Sequence, residues 1–288
     1  MRDLNYQLKL ICNRNKDGSF STQAARQRNL DLMANQLHDL GFHHLKPLSL
    51  KFKHVLALLS HWKQNNISTG TIKNRMAHLR WWAEKIGKNN LIPSSNLALN
   101  IENRSYVTNI SKAFSLNPSS LDSISDPFIK ISLELQAAFG LRREEALKFQ
   151  PSFADRGDSI FLKASWCKGG RERQIPILND YQRDVLLRAH KLAGRGSLIP
   201  SHLKYVQHLK RYEKSCLSAG LSKVHGLRHS YAQSRYKLLT GWDCPSSGGP
   251  SSKSLSPDQK IIDFNARLTI SSELGHNRED ITAVYLGR

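Results

Sequence analysis

The sequence predicts a mainly α-helical protein with one small β-sheet, divided into two domains. Three observations predict it. A chain of 288 residues has room for two separate cores. Its first third carries apolar residues at helical spacings of three and four. In its second half, two short stretches of alternating apolar and polar residues flank a Gly-Gly turn, the pattern of a hairpin.

In "STQAARQRNLDLMANQLHDLG", Ser21 is expected to cap a helix whose inner stripe is Leu30, Met33, Leu37 and Leu40, with Gly41 as the stop. "SLKFKHVLALLSHW" offers Val55, Leu56, Leu59 and Trp62 as a second stripe. "STGTIKNRMAHLRWWAEKIG" gives a third through Ile72, Met76, Leu79, Ala83 and Ile86. The far side of that third helix holds Lys73, Arg75, Arg80 and Lys85, an expected phosphate-facing surface. Residues 1–20 read as a short tail. These elements make residues 1–110 one helical domain. A polar run with Asn117, Pro118, Ser119 and Ser120 suggests a linker over 111–118, and the second domain then spans 119–288.

The second domain is expected to open with a helix over 126–140. "SIFLKAS" and "RERQIPIL" read as strands joined through "WCKGG", and further helices follow over 180–193, 202–218, 225–239 and 258–274. Between the last two lies "GWDCPSSGGPSSKSLSP", an insertion-like loop over about 241–258.

Forty-three Lys and Arg face 23 Asp and Glu, for a net charge of +20. The excess is shared equally, +10 on residues 1–110 and +10 on the remainder, so both domains are expected to meet a polyanion. No run approaches the roughly 18 apolar residues of a spanning helix. The first twenty residues lack a signal-peptide core. Cys12, Cys167, Cys216 and Cys244 are scattered without a zinc pattern, as suits a reducing cytoplasm. No carboxylate cluster or phosphate-binding loop suggests a metal or a nucleotide cofactor, and none is expected.

Four short clusters carry possible chemistry. "FGLRREEAL" sets Glu145 three residues after Arg142, close enough to hold the guanidinium. "WCKGGRERQIPI" puts Lys168 at a glycine turn and Arg173 just beyond it, where Arg173 is expected to contact DNA. "VHGLRHSYA" spaces His225 and Arg228 to address one anion together, and "ELGHNREDITAVY" adds His276 and Tyr285. Each alone is weak: a second His-x-x-Arg, His208 with Arg211, reads as an exposed helix face.

Together and in this order, these clusters resemble the tyrosine recombinase (phage integrase) family, of the type found in mobile-element integrases. That family's catalytic domain shows Gly-Leu-Arg-x-x-Glu, a hairpin lysine, His-x-x-Arg and Leu-Gly-His, with a tyrosine nine positions after that histidine. Here the matches are Gly140-Leu141-Arg142 with Glu145, Lys168, His225 with Arg228, Leu274-Gly275-His276, and Tyr285. The resemblance implies a two-domain DNA clamp: a helical core-binding domain and a mixed α/β catalytic domain. It also implies cleavage and rejoining of double-stranded DNA, with four protomers on two duplexes and accessory DNA-bending proteins as possible partners.

The chemistry expected of these residues follows. A phosphodiester cut without water needs a nucleophile that stays attached, which Tyr285, expected on a loose tether nine residues beyond His276, can be. A phenol's pKa of about 10 calls for a base, and His225 is the candidate. Arg142 and Arg228 would stabilise the phosphorane, with His276 as a further donor. Lys168 would protonate the leaving 5′-oxygen, and Glu145 would orient Arg142. Two departures stand out: Arg228 and His276 lie 48 positions apart, beyond the usual span, and three residues follow Tyr285 where many relatives continue into a docking helix. The competing expectations are a strand-swivelling topoisomerase and a non-catalytic DNA-binding scaffold.

Overall fold

The structure, a computed structural model, describes residues 2–276 and 278–288. It divides into two compact units, residues 1–105 and 106–288.

The first unit is helical: α1 (Asp3–Arg14), α2 (Phe20–Asp39), α3 (Phe52–Gln64) and α4 (Thr69–Lys85). Its core interleaves Leu4 and Leu8 of α1 with Leu30, Met33 and Leu37 of α2, Val55, Leu58, Leu59 and Trp62 of α3, and Met76, Leu79 and Trp82 of α4. Three local readings change. The stretch expected as a tail is the helix α1, because Leu4 and Leu8 bury one face against α2. Ser19, not Ser21, caps α2, accepting from the Thr22 N–H. Leu40 and Leu56 stay exposed, and Leu58 takes the buried place in α3.

The second unit opens with an extended stretch that is stitched to it: the Phe114 N–H donates to the Gly226 carbonyl, and Phe114 and Leu116 pack against apolar residues of this unit. The residues read as linker therefore form part of this unit's wall. Then come α5 (Pro118–Asp122), α6 (Pro127–Phe139), α7 (Arg143–Leu147) and α8 (Pro151–Ala154). The strands β1 (Ser159–Leu162) and β2 (Arg173–Pro176) pair antiparallel, Ile160 opposite Ile175 and Leu162 opposite Arg173. The remaining helices are α9 (Asp180–Ala193), α10 (Tyr205–Ser218), α11 (Gly226–Thr240), α12 (Pro257–Glu273) and α13 (Glu279–Leu286).

Helix α6 is the axis of this unit. It is apolar on nearly every side, Ile129, Ile131, Leu133, Leu135 and Phe139 all being buried, as a helix enclosed by others must be. Asp126 caps its start by accepting from the Phe128 N–H. Gly140 ends it in the left-handed conformation, φ 61°, where an added Cβ would stand 2.6 Å from the Tyr231 ring. That stop turns the chain sharply into α7. Helices α9 and α11 flank α6, while α12 packs on α11 and α13 on both α11 and α12. No helix among the described residues is long and apolar enough to cross a membrane.

Candidate active site

At the base of the site is a buried carboxylate. Glu145 sits in the first turn of α7, where its Oε2 accepts the Arg142 N–H at 2.7 Å. Its Oε1 accepts from Arg142 Nη1 at 2.9 Å. Arg173 grips the same carboxylate with both arms, Nη1 at 3.0 Å and Nη2 at 2.7 Å. Burial would raise the Glu145 pKa, but the hydrogen bonds and charge of Arg173, with Arg142 and Arg228 nearby, hold it at about 2. Glu145 is thus a permanent anion that fixes two guanidiniums. Arg142 keeps 20% of its side chain exposed and can meet a ligand.

Arg173 had been expected to contact DNA. Its side chain is only 4% exposed, and its Nε donates to the Glu273 carbonyl at 2.7 Å while Nη1 approaches Cys167 Sγ at 3.2 Å. It ties α7, β2, the end of α12 and the residue before Lys168 together. The signal was in the alternation of "RQIP", which puts Arg173 on the same inward face as Ile175.

Arg228 lies one turn into α11 and is 1% exposed. Its Nη1 donates to the Gly140 carbonyl, its Nη2 to the Leu274 carbonyl, and its Nε to the Tyr285 hydroxyl oxygen at 3.2 Å. Burial lowers its pKa to about 10, so it stays charged at neutral pH. Its Nη2 also faces His276 Nε2 at 3.4 Å. Because a guanidinium only donates, that ring nitrogen must be the acceptor. Burial, then the charges of Arg228, Arg142 and Arg173, push the His276 pKa down to about 4, which keeps the ring neutral.

Tyr285 is 7% exposed and rings of histidine surround it: His229 at 4.6 Å, His276 at 6.0 Å and His225 at 6.3 Å between centroids. His225 is at the solvent-exposed rim, just ahead of α11. Desolvation of its inner edge, with Arg228 and Arg142 close by, lowers its pKa, which favours the neutral ring. His229 went unnoticed in the sequence. It is 5% exposed, and its burial plus the proximity of His225 brings its pKa to about 4.

The expectation of a loosely tethered tyrosine does not hold. Residues 279–286 form a helix, and the chain beyond it is tied back: Asn109 Nδ2 donates to the Arg288 carbonyl at 2.9 Å, and the Arg288 N–H returns to Asn109 Oδ1 at 2.8 Å. Lys168 is exposed on the turn between β1 and β2, with no side-chain partner among the described residues. The second His-x-x-Arg is no exposed face: His208 is fully buried.

The four cations expected to line a DNA surface on α4 are largely occupied within the first unit. Arg80 braces a loop, Nε donating to the Pro93 carbonyl at 2.9 Å and Nη2 to Asn96 at 3.0 Å. Lys85 pairs with Asp17 at 3.1 Å and Glu84 at 3.0 Å. Arg75 lies over the Trp62 ring at 5.2 Å, and Lys73 makes one long contact of 3.4 Å to Asn103. Among the described residues, no group of three or more His, Cys, Asp or Glu side chains converges to hold a metal ion.

Comparison with known proteins places the chain by family and fold. Residues 1–92 match the family model described as phage integrase, N-terminal, and residues 104–234 match the model described as integrase. No curated protein sequence matches significantly. Among solved structures, the chain resembles a lambda integrase tetramer bound to a Holliday junction, at TM-score 0.61 and 14% identity over 99% of this chain and 78% of that one. It resembles the Tn1549 transposon integrase in complex with circular intermediate DNA at TM-score 0.54, with 14% identity over 100% and 96%. It also resembles the XerH recombinase in a post-cleavage complex with palindromic difH substrate, at TM-score 0.58 and 18% identity over 99% and 81%. At such identities these likenesses concern the fold.

Proposed function

The chain belongs to the phage integrase family of tyrosine recombinases and is a site-specific DNA recombinase, and we propose that Tyr285 is its nucleophile. In this reading the Tyr285 oxygen attacks the scissile phosphorus, forming a 3′-phosphotyrosyl bond as the bond from phosphorus to the 5′-oxygen breaks. The phenol proton passes to neutral His225, and Lys168 supplies a proton to the departing 5′-oxygen, which leaves as a hydroxyl. Arg142 and Arg228 stabilise the phosphorane, and rejoining reverses each step. Glu145 and Arg173 position Arg142 without reacting. His276, neutral and accepting from Arg228, serves best by aiming that guanidinium, with its other ring nitrogen left to donate.

The observation that carries this reading is the contact between Arg228 Nε and the Tyr285 oxygen. A cation donating to the phenol oxygen stabilises the phenolate as the proton leaves. The oxygen still has its own proton to give.

The substrate follows from the charge and the fold: double-stranded DNA met by both basic units. Tetramers on two duplexes, with DNA-bending proteins as accessories, are the assembly proposed, and a bacterial cytoplasm with nucleoid association the place.

The test uses DNA selected by the protein from a random pool, nicked beside candidate cleavage points so that rejoining fails. In EDTA, wild type is expected to give a denaturation-resistant protein–DNA adduct, and Tyr285→Phe none. Salt-sensitive binding without an adduct at any nick position would overturn the catalytic reading and favour a DNA-binding scaffold. Strand passage on a single plasmid lacking the selected site would favour a topoisomerase.

A further inference from the structure

The long loop between Arg228 and His276 is not absorbed by the mechanism above, and its contacts converge on one atom. The carbonyl oxygen of Tyr285 accepts two side-chain hydrogen bonds, from Gln233 Nε2 at 3.1 Å and from Ser246 Oγ at 3.1 Å. Ser246 belongs to the loop, and Gln233 to α11. The two donors are themselves linked, Gln233 Nε2 to Ser246 Oγ at 3.2 Å. Ser247 of the loop and Ser111 of the opening stretch both donate to Gln233 Oε1, at 2.9 and 3.1 Å. The amide is therefore held in one orientation, with its donors turned toward Tyr285.

The loop is built to hold that position. Cys244 is 1% exposed and anchors it in the core. Its carbonyl accepts from the Ser247 and Gly249 N–H groups, which closes a tight turn. Trp242 Nε1 donates to the Tyr236 hydroxyl at 3.2 Å. Beyond Tyr285 the fit is close enough that a Cβ on Gly287, at φ 78°, would stand 2.7 Å from Asn109 Oδ1 and 2.8 Å from the Ser246 nitrogen. The last carbonyls of a helix have no partner within it. Here one of those orphans, on the residue that carries the nucleophile, is met by a loop instead of by water.

We propose that residues 241–256, through Ser246 and together with Gln233, form a clasp that seats Tyr285 in the active site of its own protomer. Gln233 and Ser246 are positioning residues: they touch the main chain of the nucleophile, not the reacting atoms. The idea rests on Tyr285 being the nucleophile, but its first test does not.

Hydrogen exchange of the DNA-free protein reads the clasp directly. In Gln233→Ala and Ser246→Ala, amides of residues 279–286 are expected to exchange roughly tenfold faster, while those of α6 and α9 keep their protection. Ser246→Thr retains the hydroxyl and should stay near wild type. Unchanged exchange over 279–286 would overturn the proposal whatever the enzyme does. On the nicked selected DNA, the same two alanine variants should form adduct roughly ten- to a hundredfold more slowly at unchanged DNA affinity, and Ser246→Thr should restore the rate. An unaltered or faster rate would overturn the positioning role. If wild type itself forms no adduct, the catalytic reading fails, and the exchange result still judges the clasp.

Discussion

Glu145 shows how one buried carboxylate can hold two cations of a site in place. It is buried, ionised and shared by Arg142 and Arg173. Its folded-state pKa of about 2 is below its ordinary value, so the unfolded chain takes up the proton first as pH falls. The stability it contributes is thus full above about pH 4.5 and is lost as pH drops through about 2. Glu145→Gln leaves Arg173 buried without its counter-charge, and a loss of about 3–5 kcal/mol is expected near neutral pH. Denaturant titration at several pH values checks this: the variant should lose part of the wild-type decline between pH 4.5 and 2. A variant as stable as wild type at pH 7 would show that the pair is dispensable.

At the scale of elements, α4 separates what pattern reading finds from what it misses. Its inward stripe of Ile72, Met76, Leu79, Ala83 and Ile86 was legible because helical spacing alone selects it: the first four are buried, and Ile86, at the helix end, is half-buried. Its cationic face was read as one surface, although spacing says nothing of partners distant in sequence. Arg80 serves Pro93 and Asn96, and Lys85 serves Asp17. Lys73 has only a long contact and can turn to a phosphate. Lys73→Ala is therefore expected to leave stability unchanged and to reduce the salt slope of DNA binding by about one. Arg80→Ala should instead cost about 1–3 kcal/mol, because two interactions with the 93–96 loop vanish. Filter binding across a salt series, with thermal melts of both variants, separates the two, and a reversed pattern would refute the assignment. The same limit explains the misreadings around Tyr285. The motif residues could be found by their order along the chain, whereas His229, Gln233 and the clasp are matters of spatial neighbourhood. Helix α13 was overlooked because eight residues, little more than two turns, carry little periodic signal.

The whole molecule distributes its charge and its cores evenly. Residues 1–105 and 106–288 each carry +10 and each enclose apolar clusters of their own. A fragment of residues 1–105 is expected to unfold in one cooperative transition and still to bind the selected DNA, more weakly and with a shallower salt slope than the full chain. Calorimetry and the same salt series test it, and a fragment without a transition would show that its core is insufficient alone. A composition change suggested a linker over 111–118, whereas the two units divide between residues 105 and 106. The position of the break was not legible, since a polar segment can be bound as firmly as an apolar one when its backbone finds partners, as Phe114 does with Gly226.

Arg173 gives the arrangement a protective side. One guanidinium joins a carboxylate from α7, a carbonyl from the end of α12 and a thiol beside the hairpin lysine, segments up to 128 positions apart. Those contacts exist only when the entire second unit has closed. If Tyr285 is the nucleophile, as proposed, a chain emerging from the ribosome, or one partly unfolded by heat, has the tyrosine without the oriented cations around it. In the proposed mechanism the cutting of DNA would then depend on the closure of the whole second unit, and a damaged or half-folded copy would be harmless to the DNA it meets.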